Sequence, residues 1–149
     1  MEHWRSDFRE SEAMYDNAAL KYEQSQARTA SPSELLLALY EGLFRFLRGS
    51  KICLENQQLV KARELLSRSY AILSELYIAL DRSQAPQLCE QLAVLYSFCM
   101  DQVLEGSRHA DVNKIDDVIR VLTPLREAFV AAVAEVSTQQ RTQSFAGPA

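Results

Sequence analysis

The side chains that could carry catalytic or metal chemistry are few and poorly spaced for it. The chain has two histidines, His3 and His109, and three cysteines, Cys53, Cys89 and Cys99. A di-iron bundle needs Glu-x-x-His pairs on facing helices, and neither histidine belongs to one. Zinc sites and disulfide frameworks need paired cysteines, whereas these three are odd in number and form no CxxC, so they read as small core residues in a reducing compartment. The sequence contains no glycine-rich phosphate loop, no GxSxG elbow and no HExxH, and no histidine placed to activate a serine or cysteine. Asp116 and Asp117 are the nearest thing to an acidic pair. Neighbours on a helix diverge by about 100°, which makes them surface charges that complement a helix dipole rather than a carboxylate dyad. Lys61, Arg63 and Glu64 read as a solvated helix face. The expectation is a binding protein without enzymatic activity, with no catalytic residue, cofactor or metal.

The charge pattern narrows the partner. A formal net charge of −4 with intermixed signs leaves no basic stripe to neutralise phosphates, which argues against nucleic acid and against an anionic membrane surface. The opening residues, MEHWRSDFRESE, lack the apolar region of a secretory signal, and no apolar run is long enough to cross a bilayer. A cytosolic protein without membrane insertion is expected.

The 149 residues fit one domain, and only four glycines and four prolines are available for turns. Long, few elements are implied, and the periodicity makes them helices. Residues 1–28 are polar with scattered apolar side chains and read as a flexible, partly disordered arm. Ser31-Pro32-Ser33-Glu34 is a helix start: a serine to accept from the first turn, proline at the first helical position, and glutamate three residues after the serine. From there Leu36, Tyr40, Leu43, Leu47 and Leu54 repeat by fours and threes around Ser50, and the helix frays near Glu55-Asn56. A second stripe, Leu59, Ala62, Leu66, Ser69, Leu73, Leu76 and Leu80, gives a helix over about 58–81. A third runs from Pro86 to about Glu105 on Cys89, Leu92, Tyr96, Cys99 and Val103, with Gly106 expected to close it in a left-handed conformation. Asp111 is placed to cap the fourth, which carries Ile115, Val118, Leu122, Leu125, Phe129, Ala132 and Val136 and holds Pro124 inside. After Ser137 a disordered tail, 138–149, is expected. Four helices with short connections over 29–137 make an all-α, antiparallel four-helix bundle the expected fold.

The first helix is more apolar than a bundle requires. Its core series is flanked by Leu37 and Phe44 on one side and by Leu35, Leu39, Phe46 and Cys53 on the other, an arc of roughly 200° where a little over 100° suffices. Ala38, Gly42 and Gly49 lie beside the second flank and would let another backbone approach. Two readings stand: a groove for a helix or extended peptide of a partner, or a central helix covered on both sides by its own neighbours. The spare surface leaves both monomer and homodimer open.

Read together, Tyr22, Thr29-Ala30-Ser31-Pro32, Glu34-Leu35 and Leu39-Tyr40-Glu41-Gly42 resemble the opening of the flagellar secretion chaperone family, FliS. The likeness continues through Ala62, Ile72-Leu73, Glu75-Leu76 and Leu80-Asp81, through Leu92, Leu95-Tyr96 and Leu104, and into Val118-Ile119 and Leu125-Arg126-Glu127-Ala128-Phe129. The resemblance implies an antiparallel helical bundle of the bacterial cytosol. Such a protein binds the disordered C-terminal segment of flagellin, blocks premature filament assembly and keeps the subunit competent for type III flagellar export, with the export apparatus as a further partner. Family members wrap the segment around apolar bundle surface, part of which the N-terminal arm can occupy. Carried over to this chain, Tyr22, Ser31, Pro32, Leu39, Tyr40 and Gly42 match the family's motifs; together with Leu35 and Phe46 from the second flank of the first helix they are the expected partner-binding residues. Ser31 and Pro32 serve the helix start as well, and Tyr40 has core packing as its other reading.

Ser25, Ala27, Ala38 and Phe129 depart from the residues usual at their positions, and Met14-Tyr15 looks like a typical family start, so residues 1–13 read as an extension or a misplaced initiation site. The alternatives are a regulatory paralogue of the same bundle that binds another secretion or transcription-control protein, and a small helical enzyme.

Overall fold

The computed structural model describes residues 31–145, the last by its backbone alone. The expected arm, with Tyr22, and residues 146–149 lie outside them. The described residues form four helices: α1 (Pro32–Glu55), α2 (Leu59–Ile78), α3 (Pro86–His109) and α4 (Val112–Phe145). Each packs on the next, and α4 closes the ring against α1, so α1 and α3 stand on one diagonal and α2 and α4 on the other.

The start of α1 forms as its sequence dictates. Ser31 is extended, with φ −78° and ψ 159°, and its hydroxyl accepts from the Glu34 amide at 3.3 Å, while Pro32 gives up no needed donor. At the other end Gln57 takes φ 59°. The Gln58 amide then donates to the Cys53 carbonyl at 2.8 Å and the Gln57 amide to Leu54 at 3.1 Å, which satisfies the last carbonyls of α1 without a glycine. Asp111 caps α4 as expected, its carboxylate accepting from the Asn113 amide at 3.0 Å.

Three boundaries differ from the sequence reading. Helix α2 stops at Ile78 rather than near Asp81, whose side chain instead accepts from both the amide and the hydroxyl of Ser83 in the connection to α3. Helix α3 runs past Gly106 to His109, and the left-handed residue is Ala110, at φ 50°. Gly106 is needed for a different reason: a Cβ there would lie 2.6 Å from Cδ1 of Ile115, so its absence lets α3 and α4 close together. Helix α4 continues past Ser137, where a disordered tail is expected, as far as Phe145. The segment beyond Ser137 has no apolar stripe for periodicity to detect, but glutamine and arginine favour helix. Thr138 and Thr142 also donate their hydroxyls back to the carbonyls of Ala134 and Thr138, each at 2.9 Å.

The core is the meeting of the four stripes: Tyr40, Leu43 and Leu47; Leu66, Leu73 and Leu76; Tyr96, Cys99 and Val103; Ile115, Val118 and Leu122. The two serines that interrupt the stripes are fully buried and satisfied by their own helices, Ser50 donating to Leu47 at 2.7 Å and Ser69 to Leu65 at 2.9 Å. All three cysteines are buried free thiols.

Candidate functional site

From Tyr40 to Cys53 the wide apolar arc of α1 is buried against its own neighbours, while Leu35, Leu36, Leu37 and Leu39 are only half-buried. On one flank α2 fills the space beside the small residues. A Cβ on Gly42 would meet Cδ1 of Ile72 at 3.6 Å, and one on Gly49 would meet Cδ1 of Leu65 at 3.3 Å. On the other flank the Arg126 guanidinium of α4 lies 5.5 Å from the Phe44 ring and donates to the Glu41 carboxylate, Nε at 2.7 Å. Among the described residues, the space beside Gly42 and Gly49 is thus occupied by Ile72 and Leu65 of α2, at ordinary contact at Gly42 and more tightly at Gly49.

This sorts the residues expected to bind a partner. Tyr40 and Gly42 are buried, and Phe46 is only 6% exposed. Leu35 and Leu39 are half-buried, and Ser31 and Pro32 are exposed at the helix start. Tyr22 lies outside the described residues.

Remaining apolar surface follows from the register of the helices. Lys51 pairs with Asp116 at 2.8 Å, and Glu41 pairs with Arg126; in both pairs the residue numbers add to 167. Pro32 thus stands abreast of Glu135, and α4 projects beyond the start of α1 by the length of residues 136–145, about 15 Å at helical rise. Among the described residues, no further layer covers the core-facing residues at this end. Leu36, Leu39 and Phe129 are only partly buried, as are Leu35 and Val133, while Val136 is 47% exposed on the extension of the α4 stripe. Ile78, at the end of α2, is 77% exposed, and the α2 register on Gly42 and Gly49 sets it abreast of Leu36. Among the described residues, the start of α1, the end of α2 and the overhang of α4 form an open apolar end. The sequence reading placed Val136 on the inner stripe of α4 but did not single out Val133, Val136 or Ile78 as apolar surface. The available signal was length: the stripe of α4 reaches Val136, further than an α1 that begins at Pro32 can cover.

The buried polar groups serve packing. The hydroxyls of Tyr40 and Tyr96 share a hydrogen bond of 2.5 Å across the core, with the Phe129 ring 5.3 Å from that of Tyr40. Burial raises both phenols, Tyr40 well above its usual range, and it raises the Cys99 thiol to about 12, which suppresses the nucleophilic thiolate. A hydrogen bond to Asp116 raises the Lys51 ammonium. Among the described residues no group of three or more His, Cys, Asp or Glu could hold a metal ion, and no helix is long and apolar enough to cross a membrane.

Comparison with known proteins agrees with this architecture. The family model described as flagellar protein FliS matches residues 14–136. The flagellar secretion chaperone FliS of Campylobacter jejuni is 30% identical over 117 residues, covering 78% of this chain and 91% of that protein. That of Bacillus subtilis is 26% identical, covering 78% and 86%, and that of Salmonella typhimurium 25%, covering 78% and 87%. A crystal structure of a flagellar chaperone from bacteria superposes with a TM-score of 0.67 at 24% identity, over 80% of this chain and 97% of the other, which shows the shared fold. The chain belongs to the FliS family of flagellar secretion chaperones.

Proposed function

We propose that this chaperone holds the C-terminal segment of flagellin in the bacterial cytosol, keeps it from polymerising and delivers it to the export apparatus, and that the segment seats on the open apolar end of the bundle. The observation that carries the seat is the half-exposure of Leu35, Leu36 and Leu39 where α4 overruns the start of α1. In this reading Leu35, Leu39, Val133 and Val136 bear the client. Ser31 and Pro32 fix the start of α1, and Tyr22, outside the described residues, keeps the partner role that the family resemblance gives it. Tyr40, Gly42 and Phe46 act through the packing that holds α1 in place.

Covering one leucine or valine side chain is worth about 1.5–3 kcal/mol, so a few such contacts can offset the ordering of a disordered client segment. The test is calorimetric titration of the full chain with the C-terminal segment of its own organism's flagellin. One-to-one binding with a strongly negative heat-capacity change is expected, weakened at least tenfold by Leu39→Asp and by Val136→Asp but not by Ile52→Asp on the outer face of α1. Binding that ignores both of the first two changes would move the seat elsewhere. No binding at all would overturn the flagellin reading in favour of another client.

A further inference from the structure

Helix α4 changes character at Pro124. Before it, Ile115, Val118 and Leu122 are fully buried. After it, no residue from Leu125 to Ser144 is buried: Leu125, Arg126, Phe129, Val133 and Ser137 are half-buried and the others exposed. The backbone weakens at the same turn. Pro124 has no amide to give the Arg120 carbonyl, and the Thr123 hydroxyl donates to the Ile119 carbonyl at 2.6 Å, a bond of the kind that loosens and bends a helix. A helical segment with few buried contacts, lying beyond a break in its ladder, can open while the rest of the fold stays closed.

The contacts that hold this segment to α1 lie near the surface. The Arg126 guanidinium donates to the exposed Glu41 carboxylate and lies 5.5 Å from the Phe44 ring, and the Phe129 ring stands 5.3 Å from that of Tyr40. Arg48 of α1 itself lies 5.4 Å from the Phe44 ring, so Phe44 keeps a cationic partner when Arg126 leaves. One turn further along the seam, the register sets Val130, 41% exposed, abreast of the half-buried Leu37.

We propose that α4 from Pro124 onward is a hinged arm, latched to α1 through Arg126 and Glu41, and that its outward swing opens the apolar end of the bundle for a client segment. The gate rests on the client reading of that end, whereas the hinge stands without it. In the closed form the end offers half-covered leucines. A swing about Pro124 bares Leu36 and Leu37 on α1 and Leu125, Phe129 and Val133 on the arm, two apolar stripes that face each other across the opening. The core stays shut, because Ile115, Val118 and Leu122 lie before the hinge and Lys51 holds Asp116 there at 2.8 Å. The latch sets how often the seat opens, and a client that binds only the opened form associates in proportion to the open fraction.

The test is amide hydrogen exchange of the full chain, resolved by residue, beside Pro124→Ala, Glu41→Gln, Arg126→Gln and the control Lys51→Gln. Residues 125–133 are expected to exchange together through one opening that leaves 115–122 protected, so that protection drops in a step at Pro124. Pro124→Ala restores a donor to the Arg120 carbonyl and should slow this exchange about tenfold. Either latch variant should speed it by about two- to fivefold, the usual range for an exposed ion pair, and Lys51→Gln should not. Stopped-flow association of the C-terminal flagellin segment should follow the same order, slowed by Pro124→Ala and quickened by both latch variants. Protection that falls smoothly toward the C-terminus and ignores Pro124→Ala is fraying and would overturn the hinge. A step indifferent to both latch variants would overturn the latch, and association rates indifferent to all three changes would overturn the gate. A segment that does not bind at all sinks the client reading and the gate with it, and the exchange pattern alone then decides the hinge.

Discussion

The phenolic hydroxyls of Tyr40 on α1 and Tyr96 on α3 meet at 2.5 Å in the centre of the bundle, joining the two helices that face each other across its diagonal. The pair does what no neighbouring contact can. Packing between adjacent helices fixes each wall, whereas this bond fixes the register of opposite ones. Both rings are almost wholly enclosed, so each hydroxyl depends on the other. Tyr96→Phe should destabilise the fold by about 1–3 kcal/mol in urea unfolding, because it strands the Tyr40 hydroxyl away from water. Adding Tyr40→Phe should recover part of that loss, since two phenyl rings leave no orphaned group. A double variant as damaged as the two singles combined would show that the bond is not the coupling.

Alkaline pH should weaken the fold through the same groups. Burial raises the folded-state pKa of Tyr40, Tyr96 and Cys99, the thiol from its usual 9.0 to about 12. Above the ordinary value the unfolded chain releases protons that the folded chain retains, so stability falls as pH rises. The contribution of Cys99 is complete below about pH 9 and is lost as pH approaches 12. The phenols add to the loss above 10, their ordinary value. Unfolding midpoints in denaturant measured from pH 8 upward should decline, and Cys99→Ala should flatten the early part of the decline. Native protein at pH 8 should react with thiol reagents far more slowly than unfolded protein.

Two helical glycines should respond to alanine in opposite ways. At Gly106 the new Cβ would sit 2.6 Å from Ile115, and overpacking of about 1–3 kcal/mol should outweigh the helix-propensity gain of about 1 kcal/mol. Ile115→Val should relieve it. At Gly42 the nearest atom is an ordinary 3.6 Å away, so Gly42→Ala should leave stability unchanged or raise it by up to about 1 kcal/mol. Thermal melts of the three variants check the signs. If Gly42→Ala instead left the fold intact and abolished client capture, a partner backbone would have to approach at that position.

Removing residues 138–149 should leave the bundle standing. The residues from Thr138 to Ser144 are exposed and hydrogen-bond within their own helix, so no packed layer is lost. The unfolding midpoint of the truncated chain in urea should stay within about 0.5 kcal/mol of the full chain, as for surface changes elsewhere. A larger loss would mean that the overhang of α4 is braced by part of the protein.

Removing the Ser31 hydroxyl with Ser31→Ala should cost about 1 kcal/mol, the usual worth of a helix cap, read as a shift in the urea midpoint. The same substitution should weaken client binding only as far as it loosens the start of α1.

The amino-acid sequence by itself determined the helices, the class of fold and the family. Ser31-Pro32 and Asp111 mark starts because capping is a local exchange of hydrogen bonds, and the repeats from Leu36 to Leu54 and from Ile115 to Leu122 mark inner faces because periodicity is a property of one helix at a time. Tertiary structure decided what those faces touch. The excess arc of α1 could serve a partner or a neighbour equally well in one dimension, and only the docking of Ile72 and Leu65 against Gly42 and Gly49 assigns it to α2. Gly106 shows the same division: a glycine near a helix end reads as a cap, but its place against Ile115 makes it a point of close packing, and Ala110 takes the turn. The open end, with Leu35, Leu39, Val133 and Val136, exists because α1 and α4 meet in one register and differ in length. Register is a relation between distant segments, and no local pattern encodes it.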